Sequence, residues 1–154
     1  SEADMQKQHA FITDINNTVD RAHQSIKKIR NVNEQLDAFV KQYSKDDRTK
    51  ELVERAKKMK EGFGEIEKAL YQTQNRSNQD PLNFPIRLND KLAGVMLAAS
   101  IGDHPPTASA IAVRDELVAA IDTQLARLDT VLGTQMDEFN ALAAQLELPA
   151  VVTD

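Results

Sequence analysis

The side chains that could bind a metal or move a proton are few: three histidines, His9, His23 and His104, no cysteine, and scattered carboxylates. His9 and His23 stand 14 residues apart. On one helix that is about 21 Å, too far to share an ion. Asp20 and His23 are spaced to face each other, but a carboxylate-bridged metal bundle needs Glu-x-x-His on two helices and further Glu in the core. That motif does not occur in the sequence. His104 precedes Pro105-Pro106 and reads as a turn residue. The adjacent acids Asp46-Asp47, Asp115-Glu116 and Asp137-Glu138 would point about 100° apart on a helix. They are not the facing carboxylates of acid–base hydrolysis. No hydroxyl has a histidine placed to activate it. Gly62-Phe63-Gly64 lies inside a helical pattern with no strand before it, so it is not a phosphate loop. These residues lead us to expect no catalytic, cofactor-binding or metal site.

Two basic runs, Lys27-Lys28-Ile29-Arg30 and Arg55-Ala56-Lys57-Lys58, are candidates for anion binding. Glu51, Glu54 and Glu61 interleave with the second, as on an ordinary charged helix face. The net charge is −5 and unevenly spread: residues 1–100 hold 17 Lys/Arg and 15 Asp/Glu, residues 101–154 hold 2 and 9. An acidic whole argues against a nucleic-acid partner. No apolar run approaches the roughly 18 residues of a membrane span, so no membrane insertion is expected. The acidic final stretch is expected to lie beside the Lys-rich first two helices, at little gain per exposed pair.

The elements that would hold these residues are helices. Apolar residues at Ile12, Ile15, Val19, Ala22, Ile26, Ile29, Leu36, Val40 and Tyr43 step in threes and fours, with Met5 ahead of them and Asn33 the one break. That spacing draws one narrow stripe along a helix, and the stripe needs partners. A second helix repeats it at Leu52, Ala56, Met59, Phe63, Ile66, Leu70 and Thr73, behind a cap at Asp46 or Asp47. Gly62 and Gly64 inside it read as tolerance or close packing, with a hinge as the alternative. A short third helix carries Leu88, Leu92, Val95 and Ala99, with Pro85 suited to its first position and Gly102 ending it. Thr107 can cap a last helix with Ile111, Val118, Ile121, Leu125, Leu128, Leu132, Phe139, Leu142 and Leu146. We expect an all-α, antiparallel, up-down-up-down bundle of three long helices and one short helix. The helices span about 4–43, 47–74, 86–101 and 108–146, with a loop at 75–85, in a single domain over 1–154. Composition fits: 41% hydrophobic and 28% charged, but 5% aromatic with no Trp, so aliphatic residues must fill the core. The polar, non-Met beginning suggests a fragment of a larger protein.

Two places are expected to meet a partner, the loop from Asn75 to Arg87 and the end of the bundle beside the short third helix. In the proline-bearing loop, Leu82, Phe84 and Ile86 are candidate apolar contacts with Arg87 at their rim, unless they seal the chain's own core. Asn33, Arg114 and Gln135 interrupt the stripes. Asn33 is expected to fix register between helices, and the three together are the only polar groups a ligand-sensing bundle could turn inward.

Tyr71-Gln72-Thr73-Gln74-Asn75, then Asp80-Pro81-Leu82-Asn83-Phe84-Pro85-Ile86-Arg87-Leu88-Asn89-Asp90-Lys91-Leu92, carry a family resemblance. Pro106-Thr107, Gln124-Leu125-Ala126-Arg127-Leu128-Asp129 and Phe139-Asn140 extend it over roughly 65–148. The stretch resembles the extreme C-terminal region of bacterial sortilin-like proteins, large secreted proteins with BNR (Asp-box) repeat β-propellers often labelled glycosyl hydrolases. The resemblance implies a helical appendage in an extracytoplasmic, periplasmic or secreted protein. It transfers no hydrolase activity, since catalytic residues would sit on the propeller. The expected function is a non-catalytic interaction or assembly module that meets its own propeller, another protein chain or a second copy of itself. The alternative is a ligand-sensing four-helix bundle of an extracytoplasmic receptor.

Overall fold

The structure, a computed structural model, describes residues 1–74 and 84–153. Among these residues every regular element is helical and there is no strand. The elements are α1 (Glu2–Tyr43), α2 (Lys50–Leu70), α3 (Leu88–Ala99), α4 (Ala108–Thr130) and α5 (Met136–Gln145). One turn of π-helix, Val131–Gln135, joins α4 to α5 without a loop. The all-helical expectation therefore holds. The described residues group into two compact units, 1–24 with 68–124 and 25–67 with 125–154.

The first unit takes the beginning of α1, the end of α2, all of α3 and most of α4. Its interior is Phe11, Ile15, Thr18, Ala22, Leu70, Leu92, Ala99 and Ile121. Thr18 can be buried because its hydroxyl donates to the Asp14 carbonyl one turn back (3.1 Å). α2 ends at Leu70, four residues before the expected Thr73–Gln74 limit. Gln72, itself buried, explains the stop. Its Oε1 accepts the Gln74 N–H (3.1 Å) and its Nε2 donates to the Pro85 carbonyl (2.7 Å), tying the chain leaving α2 to the chain entering α3. Pro85 is thus held outside the helix, which starts at Leu88 rather than at the proline. At its other end, α3 stops through Gly102 in the left-handed region (φ +84). The Gln8 side chain caps that stop from α1, its Nε2 donating to the Ala99 (2.8 Å) and Gly102 (2.7 Å) carbonyls. Thr107 caps α4 as expected, its Oγ1 accepting the Ala110 N–H (3.1 Å).

The second unit holds most of the buried hydrophobic residues: Ile26, Ile29, Val32, Leu36 and Phe39 from α1, Leu52, Val53, Ala56, Met59, Phe63 and Ile66 from α2, and Leu128, Val131, Met136, Phe139, Ala143 and Val151. Phe39 meets Phe139 edge-on (centroids 5.1 Å) and Tyr43 at a tilt (4.7 Å). Between α1 and α2, Asp46 caps a single 3-10 turn, accepting from the Arg48 N–H (3.0 Å). Behind it Thr49 is buried, its hydroxyl within 2.6 Å of the Tyr43 carbonyl and 2.8 Å of the Asp46 carbonyl. Ion pairs join Arg30 to Glu67, Asp37 to Lys60, Glu65 to Arg127 and Arg55 to Glu138. Both glycines of α2 lie within unbroken helix. A Cβ on Gly64 would meet nothing and one on Gly62 would make an ordinary contact with Val131 (3.9 Å), so neither marks a close approach or a hinge.

Two stripes differ from their expected course. The seam of α1 runs through Phe11, Thr18, Val32 and Phe39, one residue ahead of Ile12, Val19, Asn33 and Val40, which are half-buried. Val32 therefore closes the break assigned to Asn33. Asn33 stands at the seam's edge with its Oδ1 buried and without a hydrogen-bond partner, so it forms no amide link fixing register. Met5, expected in the stripe, is exposed, as are Thr73 and Ile111. In the last helical run the buried series passes from Val131 to Met136 in a step of five. The Met136 N–H reaches the Val131 carbonyl five residues back, the signature of one inserted residue. Met136 thereby enters the core in place of Gln135.

Candidate interaction surface

The first unit carries an open cleft of about 710 Å³. Lys7, Ala10, Phe11 and Asp14 recur at helical spacing and so present one face of α1. Pro105 and Pro106 form a stiff wall, because their φ angles are fixed. Ile111 and Arg114 from the first turns of α4 complete it. The Gln8 bonds to Ala99 and Gly102 hold the start of α1 against this turn. Arg114 is placed by three contacts: its guanidinium lies 4.9 Å from the Phe11 ring centroid, Nη1 donates to Asp14 Oδ2 (3.2 Å) and Nε to Asp115 Oδ1 (2.8 Å). A cation over an aromatic face with two carboxylates beside it is held in one orientation. The cleft thus offers apolar walls with an oriented guanidinium at its edge.

Large apolar side chains left in solvent concentrate on the same unit. Of the eight exposed ones among the described residues, all but Val152 belong to it: Met5, Tyr71, Ile86, Leu97, Ile101, Ile111 and Val113. Leu97 and Ile101 are 66% and 68% exposed.

Of the loop residues expected to make contact, Leu82 lies outside the described residues. Phe84 is half-buried, while Ile86 and Arg87 are exposed at the entrance to α3. Arg87 is the residue before the helix and makes no side-chain cap. The stripe-interrupting polar residues are not gathered at one site. Arg114 edges the cleft just described, whereas Gln135 lines a second, charged cleft of about 540 Å³ in the other unit, with Glu51, Glu54, Arg55, Lys58, Met59 and Glu138. There Glu51 and then Glu138 hold the Arg55 guanidinium charged more firmly than usual.

His23 Nε2 is 2.8 Å from the Nδ2 of Asn89, a buried residue of α3 whose Oδ1 has no partner. His104 packs beside Gly102. Among the described residues no three His, Asp or Glu side chains gather as metal ligands, and no helix is long and apolar enough to cross a membrane. The Phe11–Arg114 cleft leaves little trace in the sequence, because period alone does not choose between the neighbours Phe11 and Ile12. The signal was the proline pair at the mouth of α4. No family model matches the chain, and no curated protein or solved structure matches it.

Proposed function

We propose that this chain is a non-catalytic interaction module that docks a partner protein through the cleft of its first unit. The observation that carries the reading is that seven exposed large apolar side chains belong to the unit that also holds the cleft walled by Phe11, Pro105, Pro106 and Ile111, with Ile111 common to both. Exposed apolar groups and an oriented arginine are the ordinary make-up of a contact surface. The partner implied by the resemblance over 65–148 is the propeller of the same parent protein, in an extracytoplasmic compartment. Ile86 and Arg87, exposed on the same unit next to half-buried Phe84, are proposed as further contacts. As scaffold we propose an antiparallel up-down-up-down bundle. Its support is the pairing of rising with falling residue numbers: Arg30 with Glu67 and Asp37 with Lys60, then Arg55 with Glu138 and Glu65 with Arg127.

Co-purification with the parent protein's remaining domains tests the reading. Ile111→Asp, at a position more than a third exposed, should leave the helical circular dichroism unchanged and abolish co-elution. Retained co-elution would move the contact elsewhere. If Phe84→Asp unfolds the chain, Phe84 belongs to the core and not to the contact. The ligand-sensing alternative keeps one observation in its favour, a cleft within the usual size range of small-molecule sites with Arg114 at its edge. A metabolite that raises the melting temperature of the wild type but not of Arg114→Ala would favour it over docking.

A further inference from the structure

After α5 the chain turns at Glu147, a non-glycine residue at φ +58, and residues 149–153 belong to no helix or turn. Two side-chain amides grip this segment. Asn140 Oδ1 accepts the Val151 N–H (2.8 Å) and its Nδ2 donates to the Val151 carbonyl (3.0 Å). Gln35 does the same for the next residue, Oε1 accepting the Val152 N–H (2.9 Å) and Nε2 donating to the Val152 carbonyl (2.7 Å). In an extended chain the N–H and C=O of one residue point one way and those of the next the other way. Two helices, α5 with Asn140 and α1 with Gln35, therefore read both edges of one peptide strand. The side chains alternate accordingly: Val151 is 6% exposed and Val152 55%.

All four bonds go to main-chain atoms, and a carboxamide offers the same donor and acceptor as a peptide group. Only the Val151 side chain is buried as an anchor. Recognition of this kind takes its affinity from the backbone and its selectivity from one pocket. We propose that the slot between Asn140 and Gln35 is a binding site for an extended peptide with one branched aliphatic anchor, in which 149–153 is the resident occupant and the same segment of a second copy its exchange partner. The second copy follows from chemistry on the chain itself: every molecule carries both slot and segment, so reciprocal exchange closes a two-fold dimer with no further surface required. The pivot is suited to release. Glu147 leaves an unfavourable backbone conformation on opening, and Pro149 has no N–H to lose.

The test uses the full-length chain with Val151→Asp, which removes the anchor, or Val152→Pro, which deletes one clamped N–H at an exposed position. The probe is a labelled peptide of residues 147–153, Glu-Leu-Pro-Ala-Val-Val-Thr. Both variants should bind it saturably and at least roughly tenfold more tightly than the wild type, whose own segment competes at an effective concentration in the millimolar range. Adding Asn140→Asp keeps the acceptor but sets a carboxylate against the Val151 carbonyl, and should weaken binding roughly tenfold. A probe with Asp at the anchor should not bind. Wild type concentrated toward the millimolar range, where a second copy competes with the resident segment, should show two-chain mass by light scattering, and Val151→Asp at the same concentration should not. Variants that keep wild-type circular dichroism yet bind no more probe than the Asp-anchor control would overturn the site. Probe binding by the variants with wild type that remains a single chain at that concentration would overturn the second copy as occupant, in favour of a segment from another protein.

Discussion

Deleting Thr134 should be nearly silent, whereas deleting Ala126, eight residues earlier, should cost several kcal/mol. Both residues are exposed, so neither deletion removes a packed side chain. The two differ in which buried residues they rotate. The π-turn at Val131–Gln135 contains one residue more than an α-helix needs. Without Thr134 the step from Val131 to Met136 falls from five to four, and Leu128, Val131, Met136, Phe139 and Ala143 keep a regular three-four spacing on one face. Without Ala126, Leu128 and Val131 turn about 100° away from their partners, while the π-turn gives up its extra residue and returns Met136, Phe139 and Ala143 to their face. Burial of the two is worth about 1.5–3 kcal/mol each. The loss of about 3–6 kcal/mol is a large part of the whole stability of a typical domain, roughly 5–15 kcal/mol. Urea unfolding followed by circular dichroism at 222 nm reads both variants against the wild type. The Thr134 deletion should lie within about 1 kcal/mol of it, since no buried group changes partner. Equal damage from both deletions would refute the reasoning, because the π-turn would then be no spare residue.

Other outcomes rest on single positions. Gly64→Ala should stabilise α2 by about 0.5–1 kcal/mol, since its Cβ meets no atom within 4 Å. Gly102→Ala should cost about 1–2 kcal/mol, because φ is +84 and the new Cβ would stand 3.2 Å from His104 Cδ2; thermal melts check both. Thr49→Val should cost about 1–3 kcal/mol by leaving the Tyr43 and Asp46 carbonyls without their buried hydroxyl, read as a lower urea midpoint. The Arg48 side chain, and then its backbone N–H, hold the Asp46 carboxyl below its usual range. A depressed pKa stabilises the folded state above the ordinary aspartate value, about 4, and that gain is lost as the pH falls through the lower folded value. Asp46→Ala should accordingly remove part of the acid-side fall in stability, measured by melts across pH 2 to 5.

What the sequence made legible was whatever a period can carry. In α2, Leu52, Ala56, Met59, Phe63, Ile66 and Leu70 are all buried as their spacing requires. Where two apolar residues stand side by side, as at Phe11-Ile12 and Phe39-Val40, period alone cannot choose which faces inward. In α1 the seam took the aromatic member each time, and Val32 rather than Asn33. The π-turn was hidden for the opposite reason: continuing in threes and fours placed Gln135 inside, and only the one-residue insertion brings Met136 there. Hydrogen bonds reaching far along the chain left no local trace. Gln8 to Gly102, Gln72 to Pro85 and Asn140 to Val151 involve glutamines and an asparagine that read as ordinary surface residues. The cleft was legible only in part, through the proline pair and the polar interruption at Arg114.

The division into 1–24 with 68–124 and 25–67 with 125–154 bears on how the molecule is made. A ribosome that has released residue 67 has delivered the whole contiguous half of the second unit, in which Arg30 can already reach Glu67 and Asp37 reach Lys60. It has delivered only the opening helical segment of the first. Neither unit is complete at that stage. Residues 68–124 must emerge before the first can close, and 125–154 before the second can. Synthesis therefore completes the first unit in its entirety while the second still waits for Phe139 and Val151.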